Sequence, residues 1–374
     1  MEPAAKLMPA EGLGSLVEAL QARGFEVWAA LEQGGALSLA PLESVAALPR
    51  GRIEAAEAGT VKLIESGRAA YFDHTLPMQG LKRLVSPPEE KLFETGADLE
   101  IRETAVAAKP KAVIGARPCD LAALETLTQV FEGGPSRDRR YAARRQALFL
   151  VSVNCARPAA TCFCNSMGTG PRAESGFDLA LTELLDDDAH AFLVEAGSEQ
   201  GAALLEDLPG KPASDDDRDC AQAVSEAAAA AMTRSMVPDV ESLLKQAYDH
   251  PQWQDVAERC LACANCTMVC PTCFCGTVED RSSLDGATAE RWRRWDSCFT
   301  LDFSYVHGGA VRKETASRYR QWITHKLSHW HDQFGRSGCV GCGRCIGWCP
   351  VGIDITAEAA AIAASLGAES RETV

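Results

Sequence analysis

Apolar residues in the first part of the chain recur with two periods. In "SLVEALQARG" (15–24) they fall three to four apart, which predicts a short amphipathic helix ended by Gly24. "FEVWAALEQGGALSLAPL" (25–42) splits into two apolar runs around Gly34-Gly35, the pattern of two strands joined by a tight turn. "KAVIGARPCDLAALETLTQVFE" (111–132) begins as a strand, breaks at an Arg-Pro-Cys-Asp turn, and continues with the helical spacing of Leu121, Leu124 and Leu127. Asp120 stands where a first-turn acid or cap belongs. "YAARRQALFLVSVNC" (141–155) then runs from helix to strand. Strand, helix, strand predicts parallel pairing with a right-handed crossover. Residues 1–210 therefore read as an α/β domain.

The pattern changes at "LPGKPASDDDRD" (208–219), where Pro, Gly and an acidic run mark a boundary. Residues 211–251 read as a helical linker interrupted by Pro238. Residues 252–374 hold most of the cysteines, with helix-like stretches in "GATAERWRRW" (286–295) and "RYRQWITHKLSHWHDQF" (318–334). No apolar run reaches the roughly 18 residues of a membrane span. The first residues carry no secretory or twin-arginine pattern, which predicts a cytoplasmic protein.

The 374 residues are 46% hydrophobic and 24% charged, enough for two packed domains. A net charge of −15 argues against nucleic acid or an anionic membrane as partner. Sixteen cysteines in a chain this long are too sparse for a disulfide scaffold and point to metal binding.

Two runs carry the chemistry. Cys260, Cys263, Cys266 and Cys270-Pro271 fit C-x2-C-x2-C-x3-C-P, and so do Cys339, Cys342, Cys345 and Cys349-Pro350. In such runs three thiolates wrap one iron–sulfur cubane and the fourth reaches the other cluster. The expected sets are Cys260, Cys263, Cys266 and Cys349 for one [4Fe–4S] cluster, and Cys339, Cys342, Cys345 and Cys270 for another. Structural zinc is the competing reading, but zinc takes two pairs rather than triplets each followed by Cys-Pro. The long insert between the runs favours a helical ferredoxin. The predicted fold is thus an α/β N-terminal domain followed by a mainly α-helical two-cluster ferredoxin domain. His325 and His329, at i and i+4, are a further metal candidate, though such pairs are more often an exposed face. Arg291, Arg293, Arg294, Arg312, Lys313, Arg318, Arg320 and Lys326 either offset cluster charge, dock an acidic partner or form a solvated face.

Eight cysteines remain. Cys119 and Cys155 should lie past strand ends, on the rim where open α/β sheets bind ligands. With Cys162 and Cys164 they are the right number for a third [4Fe–4S] cluster, and the glycines of "NSMGTGP" (165–171) would let backbone approach it. By the same counting, Cys220, Cys273, Cys275 and Cys298 would hold a fourth. No dinucleotide, phosphate or nucleophile signature is present, so the chain has no predicted flavin or NAD site and no catalytic residue.

"RPCD" (117–120), "NC…TCFCNSM" (154–167), "CLAC" with "CPTCFC" (260–275), "RWDSC" (294–298) and "CVGCGRC…CPVGIDI" (339–355) together resemble the beta subunit of the sulfhydrogenases, the cytosolic NAD(P)-linked [NiFe] hydrogenases. The resemblance implies a non-catalytic iron–sulfur subunit. It would relay electrons from or to a flavin- and NAD(P)-binding gamma subunit, with a hydrogenase module of small and large subunits at the other end. The electron-input component of the anaerobic sulfite reductase complex is a related alternative. An iron–sulfur sensor is a remote one, disfavoured by the acidic balance.

Overall fold

The computed structural model describes residues 4–75, 77–106, 108–186 and 189–372. The α/β domain is built on a mixed eight-stranded sheet. In chain order its strands are β1 (Ala5–Pro9), β2 (Glu26–Gln33), β3 (Ala36–Pro41), then β8 (Lys111–Ala116), β9 (Leu148–Val153), β10 (Leu179–Leu185), β11 (His190–Ala196) and β12 (Lys211–Pro212). Between them lie the hairpin β4 (Arg52–Glu57) with β5 (Thr60–Glu65), and β6 (Glu89–Thr95) with β7 (Ile101–Glu103). The spatial order of the large sheet is β12-β1-β11-β10-β9-β8-β2-β3, with β2, β8, β9 and β10 parallel to their neighbours in that run.

Most of the local expectations hold. The first helix is Gly12–Ala22, and β2 pairs with β3 around Gly34 and Gly35, both at positive φ. The Arg-Pro-Cys-Asp turn opens the helix Pro118–Glu132, with Pro118 at its first turn. Asp120 accepts the Arg117 backbone N–H at 3.3 Å, so it caps the helix as its position implies. β9 is buried along its whole length, as a central parallel strand should be.

The stretch 286–295 departs from expectation. It is not a helix: Ala289–Trp295 is strand β14, paired antiparallel with β13 (Gly276–Ser282) and with β6. Asp285-Gly286 is the hairpin signal the helical reading overrode, and alternating sides of β14 carry its arginines to acidic partners. Arg293 meets Glu90 at 2.8 Å and also pairs with Asp138, while Arg294 meets Glu279 at 2.6 Å. The cysteine-rich part is therefore mixed rather than mainly α-helical. Its four-stranded sheet, β13-β14-β6-β7, takes two strands from each side of the predicted boundary.

The stretch 318–334 is helical, Thr315–Thr324 and Trp330–Phe334, joined by a π-helical turn at His325–His329. That turn buries Lys326, Leu327 and Ser328 in succession, which a regular α-helix would not do.

Candidate metal centres

The two cysteine runs share one backbone course. Ala262 and Ala264 lie at φ +49° and +66°, and Gly341 and Gly343, at the matching steps, lie at +61° and +73°. The Ala262 N–H donates to Cys260 Sγ at 3.4 Å, and the Gly341 N–H donates to Cys339 Sγ at 3.4 Å. Each run then makes one helical turn, Asn265–Met268 or Arg344–Gly347, before its Cys-Pro. The residue types differ because the surroundings differ. In the first run, where Leu261 is 63% exposed, the alanines bear the intrinsic cost of the left-handed geometry. The second run is pressed against the α/β domain. A Cβ on Gly341 would lie 2.6 Å from Cys164 Cα, and one on Gly343 would lie 2.2 Å from the Thr161 carbonyl oxygen.

Each run frames a cavity with help from the other. Cys260, Cys263, Cys266 and Cys349 line one, together with Cys345, Phe299, Tyr319 and Trp322. Cys270, Cys339, Cys342 and Cys345 line a second, with Phe163, Trp322 and Lys326. Burial first, then the sulfurs of Cys260, Cys349 and Cys263, push the Cys266 thiol well up. Burial, then Cys339, Cys342 and Cys270, does the same to Cys345. Among the described residues no three His, Cys, Asp or Glu side chains converge on a point that would hold a single metal ion. Thiols spaced round a cavity suit a multi-iron cluster and do not suit tetrahedral zinc.

The α/β domain gathers its own four cysteines. β8 and β9 pair in parallel, with Ala116 opposite Ser152, so the residues that follow both strands emerge at one rim. Cys119 stands in the first turn of the helix after β8, and Cys155 stands two residues past β9. Cys162 and Cys164 return to the same place on a loop held by Cys162 N–H to the Ala159 carbonyl (2.9 Å) and Phe163 N–H to the Gly341 carbonyl (2.9 Å). All four are buried. Burial, then Cys155, raises Cys162 to about 12, and Cys155 and Cys162 act on Cys164 after burial does. Cys342 of the second run faces Cys119, Cys162 and Cys164. Gly170 allows close approach, since a Cβ there would lie 3.2 Å from Cys164 Sγ.

Two buried arginines flank this rim, and motif spacing did not mark them. Arg117 donates to the carbonyls of Thr75 (3.1 Å), Phe72 (3.0 Å) and His74, and stands 4.0 Å from Cys155 Sγ. Arg344 pairs with Asp120 at 2.9 Å and donates to the Pro77 carbonyl at 2.9 Å. Their signal was position, each being next to or two residues from a cysteine. Buried cations need negative partners: Asp120 supplies one to Arg344, and Arg117 stands beside the Cys155 sulfur.

The remaining cysteines part company. Cys220 is exposed on the helix Asp215–Ala230, which packs on β10 and β11. Cys273 lies beside Cys270, and Cys275 beside Cys298. The Cys298 thiol and backbone N–H, together with Lys326, outweigh burial and bring Cys275 down to about 7. Lys326, buried, donates to Thr272 Oγ1 at 2.8 Å and the Gly338 carbonyl at 3.1 Å. Burial alone would neutralise it; the sulfurs of Cys270, Cys273 and Cys339 hold it charged. Of the basic residues picked out in sequence, Lys326 is the one lining a thiol cavity, whereas Arg291, Arg293, Arg294 and Arg320 pair with carboxylates. His325 packs on Phe274 and Trp330, and burial lowers it to about 4; His329 is exposed.

Residues 259–353 match the family model of a 4Fe-4S dicluster domain. The chain is 32% identical over 289 residues to sulfhydrogenase 2 subunit beta of Pyrococcus furiosus, covering 76% of this chain and 82% of that one. No solved structure is significantly similar. No helix among the described residues is long and apolar enough to cross a membrane. The chain belongs to the sulfhydrogenase beta-subunit family, whose iron–sulfur, electron-transfer character the dicluster match shares.

Proposed function

We propose that the chain is the electron relay of a heteromeric hydrogenase-type complex and carries three [4Fe–4S] clusters. Cys260, Cys263, Cys266 and Cys349 hold the first, Cys270, Cys339, Cys342 and Cys345 the second, and Cys119, Cys155, Cys162 and Cys164 the third. The observation that carries the reading is the crossed lining of the two cavities: three thiols of the first run meet Cys349 and Cys345 in one, and three thiols of the second run meet Cys270 in the other. Each cluster, when bound, supplies a one-electron couple.

The chain's residues do the rest. Thiolates fix the sites, and Phe163, Trp322 and Phe299 keep water from the two cavities. Gly341 and Gly343 let the second run lie on the first "TCFC", which sets the rim site beside Cys342. Cys266 in turn neighbours Cys270 and Cys345, so the three sets form one chain of close neighbours. Lys326, Arg117 and Arg344 offset negative charge at the second and third sets, raising their potentials relative to an unpaired environment. Partners of the relay are the small and large subunits of a [NiFe] hydrogenase on one side, with a flavin- and NAD(P)-binding subunit on the other. The Pyrococcus relative is itself named as one subunit of a larger enzyme.

Iron and acid-labile sulfide on anaerobically purified protein, with EPR of the reduced form, test this reading. About twelve of each per chain are expected from three cubanes. Stoichiometric zinc without sulfide would overturn it.

A further inference from the structure

Between Phe299 and Thr315 the chain forms a small hairpin. Strands β15 (Tyr305–Val306) and β16 (Gly309–Ala310) pair antiparallel around His307-Gly308, with Gly308 and Gly309 at positive φ. Below them the Val311 N–H reaches the Ser304 carbonyl at 3.0 Å, and the Arg312 N–H reaches Ser304 Oγ at 3.0 Å. A pair of two-residue strands is marginal in water by itself. Even so, Leu301 (48% exposed), Phe303 (37%), Tyr305 (63%), Val306 (56%) and Val311 (67%) all face solvent. Single exposed apolar side chains are ordinary, but a run of them on one hairpin marks an interaction surface. The foot of the hairpin fixes where that surface lies. Phe299 is buried, lines the first cysteine cavity and accepts Arg318 Nη1 at its carbonyl at 2.8 Å. Leu261 and Val351, both exposed, line the same cavity, and so does the exposed Cys263. The hairpin therefore rises from the margin of the more open of the two ferredoxin-type sets.

The charge of this segment is opposite to that of the chain. Residues 301–320 carry Arg312, Lys313, Arg318 and Arg320 against only Asp302 and Glu314, in a chain of net charge −15. Among the described residues neither Arg312 nor Lys313 makes an ion pair. We propose that the hairpin is a docking surface for another protein subunit of the complex, one that presents an apolar patch with an acidic margin. Its apolar side chains form the centre of the contact and the two unpaired cations form part of the rim. Charge selects this occupant over a second copy of the chain, because a two-fold axis through the hairpin would set Arg312 and Lys313 against the same cations. Docking here seats the partner against the first cysteine set, where electrons would pass between subunits. That consequence rests on the relay reading above; the contact itself rests on the exposed side chains and their charge.

The complex is purified anaerobically through a tag on this chain, and its subunits are identified by mass spectrometry. Tyr305→Asp combined with Val306→Asp should cut the yield of one partner subunit by about tenfold, with iron per chain unchanged. Leu284→Asp, equally exposed but on the β13–β14 turn, should retain the full complex. A photo-reactive benzoylphenylalanine in place of Tyr305 should cross-link this chain to the same subunit that the double variant loses. Full retention of every subunit by the double variant would overturn the proposal. Cross-links joining only two copies of this chain would overturn it too. Arg312→Glu combined with Lys313→Glu should release the partner at lower salt than the wild type, and release at unchanged salt would refute the acidic margin. Wild-type iron below about eight per chain instead refutes the cluster assignment, whatever the cross-links show, so the two failures are distinguishable.

Discussion

The same four letters, "TCFC", occupy two settings, and each phenylalanine reaches the other half of the molecule. Phe163 of the first copy is fully buried in the core of the cysteine-rich region, among residues such as Trp253, Trp322 and Ile346. Phe274 of the second copy lies between the halves, its ring centroid 6.3 Å from Phe131 of the α/β domain and 5.9 Å from Trp330 of its own region. The cysteines diverge. In the first copy they are buried, share a rim with Cys119 and Cys155, and lie under a glycine-rich stretch of the second ferredoxin run. In the second they lie beside other thiols and a buried lysine. Motif identity therefore fixes the anchoring phenylalanine, while the neighbouring elements decide what the thiols can do.

The comparison breaks most visibly at the first copy. Cys162→Ser should lose about four irons while the dicluster pair keeps its EPR signature. Unchanged iron content in a folded variant would refute the rim site.

Gly341→Ala should be the next largest effect. It forces a left-handed alanine against the Cys164 backbone and should cost about 3 kcal/mol, read as a fall in denaturant midpoint. Ala262→Gly, at the matching step of the exposed run, should stay within about 1 kcal/mol of wild type, because relieved strain offsets added chain entropy. Equal effects would mean that contact with the first "TCFC" does not distinguish the runs.

Lys326→Met removes a buried cation beside the Cys270 and Cys339 sulfurs. Without it the added electron is less favoured, so the potential of the second cluster should fall, by on the order of 60 mV or about 1.4 kcal/mol for one electron. An unchanged EPR redox titration would show the charge acts elsewhere. Arg294→Ala on β14 should do least, under about 0.5 kcal/mol and with no change of potential, because its exposed guanidinium pairs with Glu279.

Much of this was legible in sequence because it is local. The cysteine spacings give the crossed sets, and the periodicity of 111–155 gives two adjacent strand ends. Pairing between distant segments was less legible. β14 was hidden because alanine, glutamate and arginine favour a helix, and its partner β6 lies some two hundred residues upstream; the carboxylates of β6 and β13 hold it extended. The companions of Cys275 and Cys298 were missed for the same reason. Counting joined Cys220 to them, whereas the β13–β14 pairing sets them beside each other and Cys220 stands on a solvent-facing helix. Arg117 and Arg344 read as ordinary charged residues until burial set them beside the thiols.

The central claim is that two cysteine sets in the ferredoxin-type runs and a third on the α/β rim each hold a cubane. Iron and acid-labile sulfide counted on the same anaerobic sample test it most directly. The account predicts about twelve of each per chain. About eight would contradict it by removing the rim cluster.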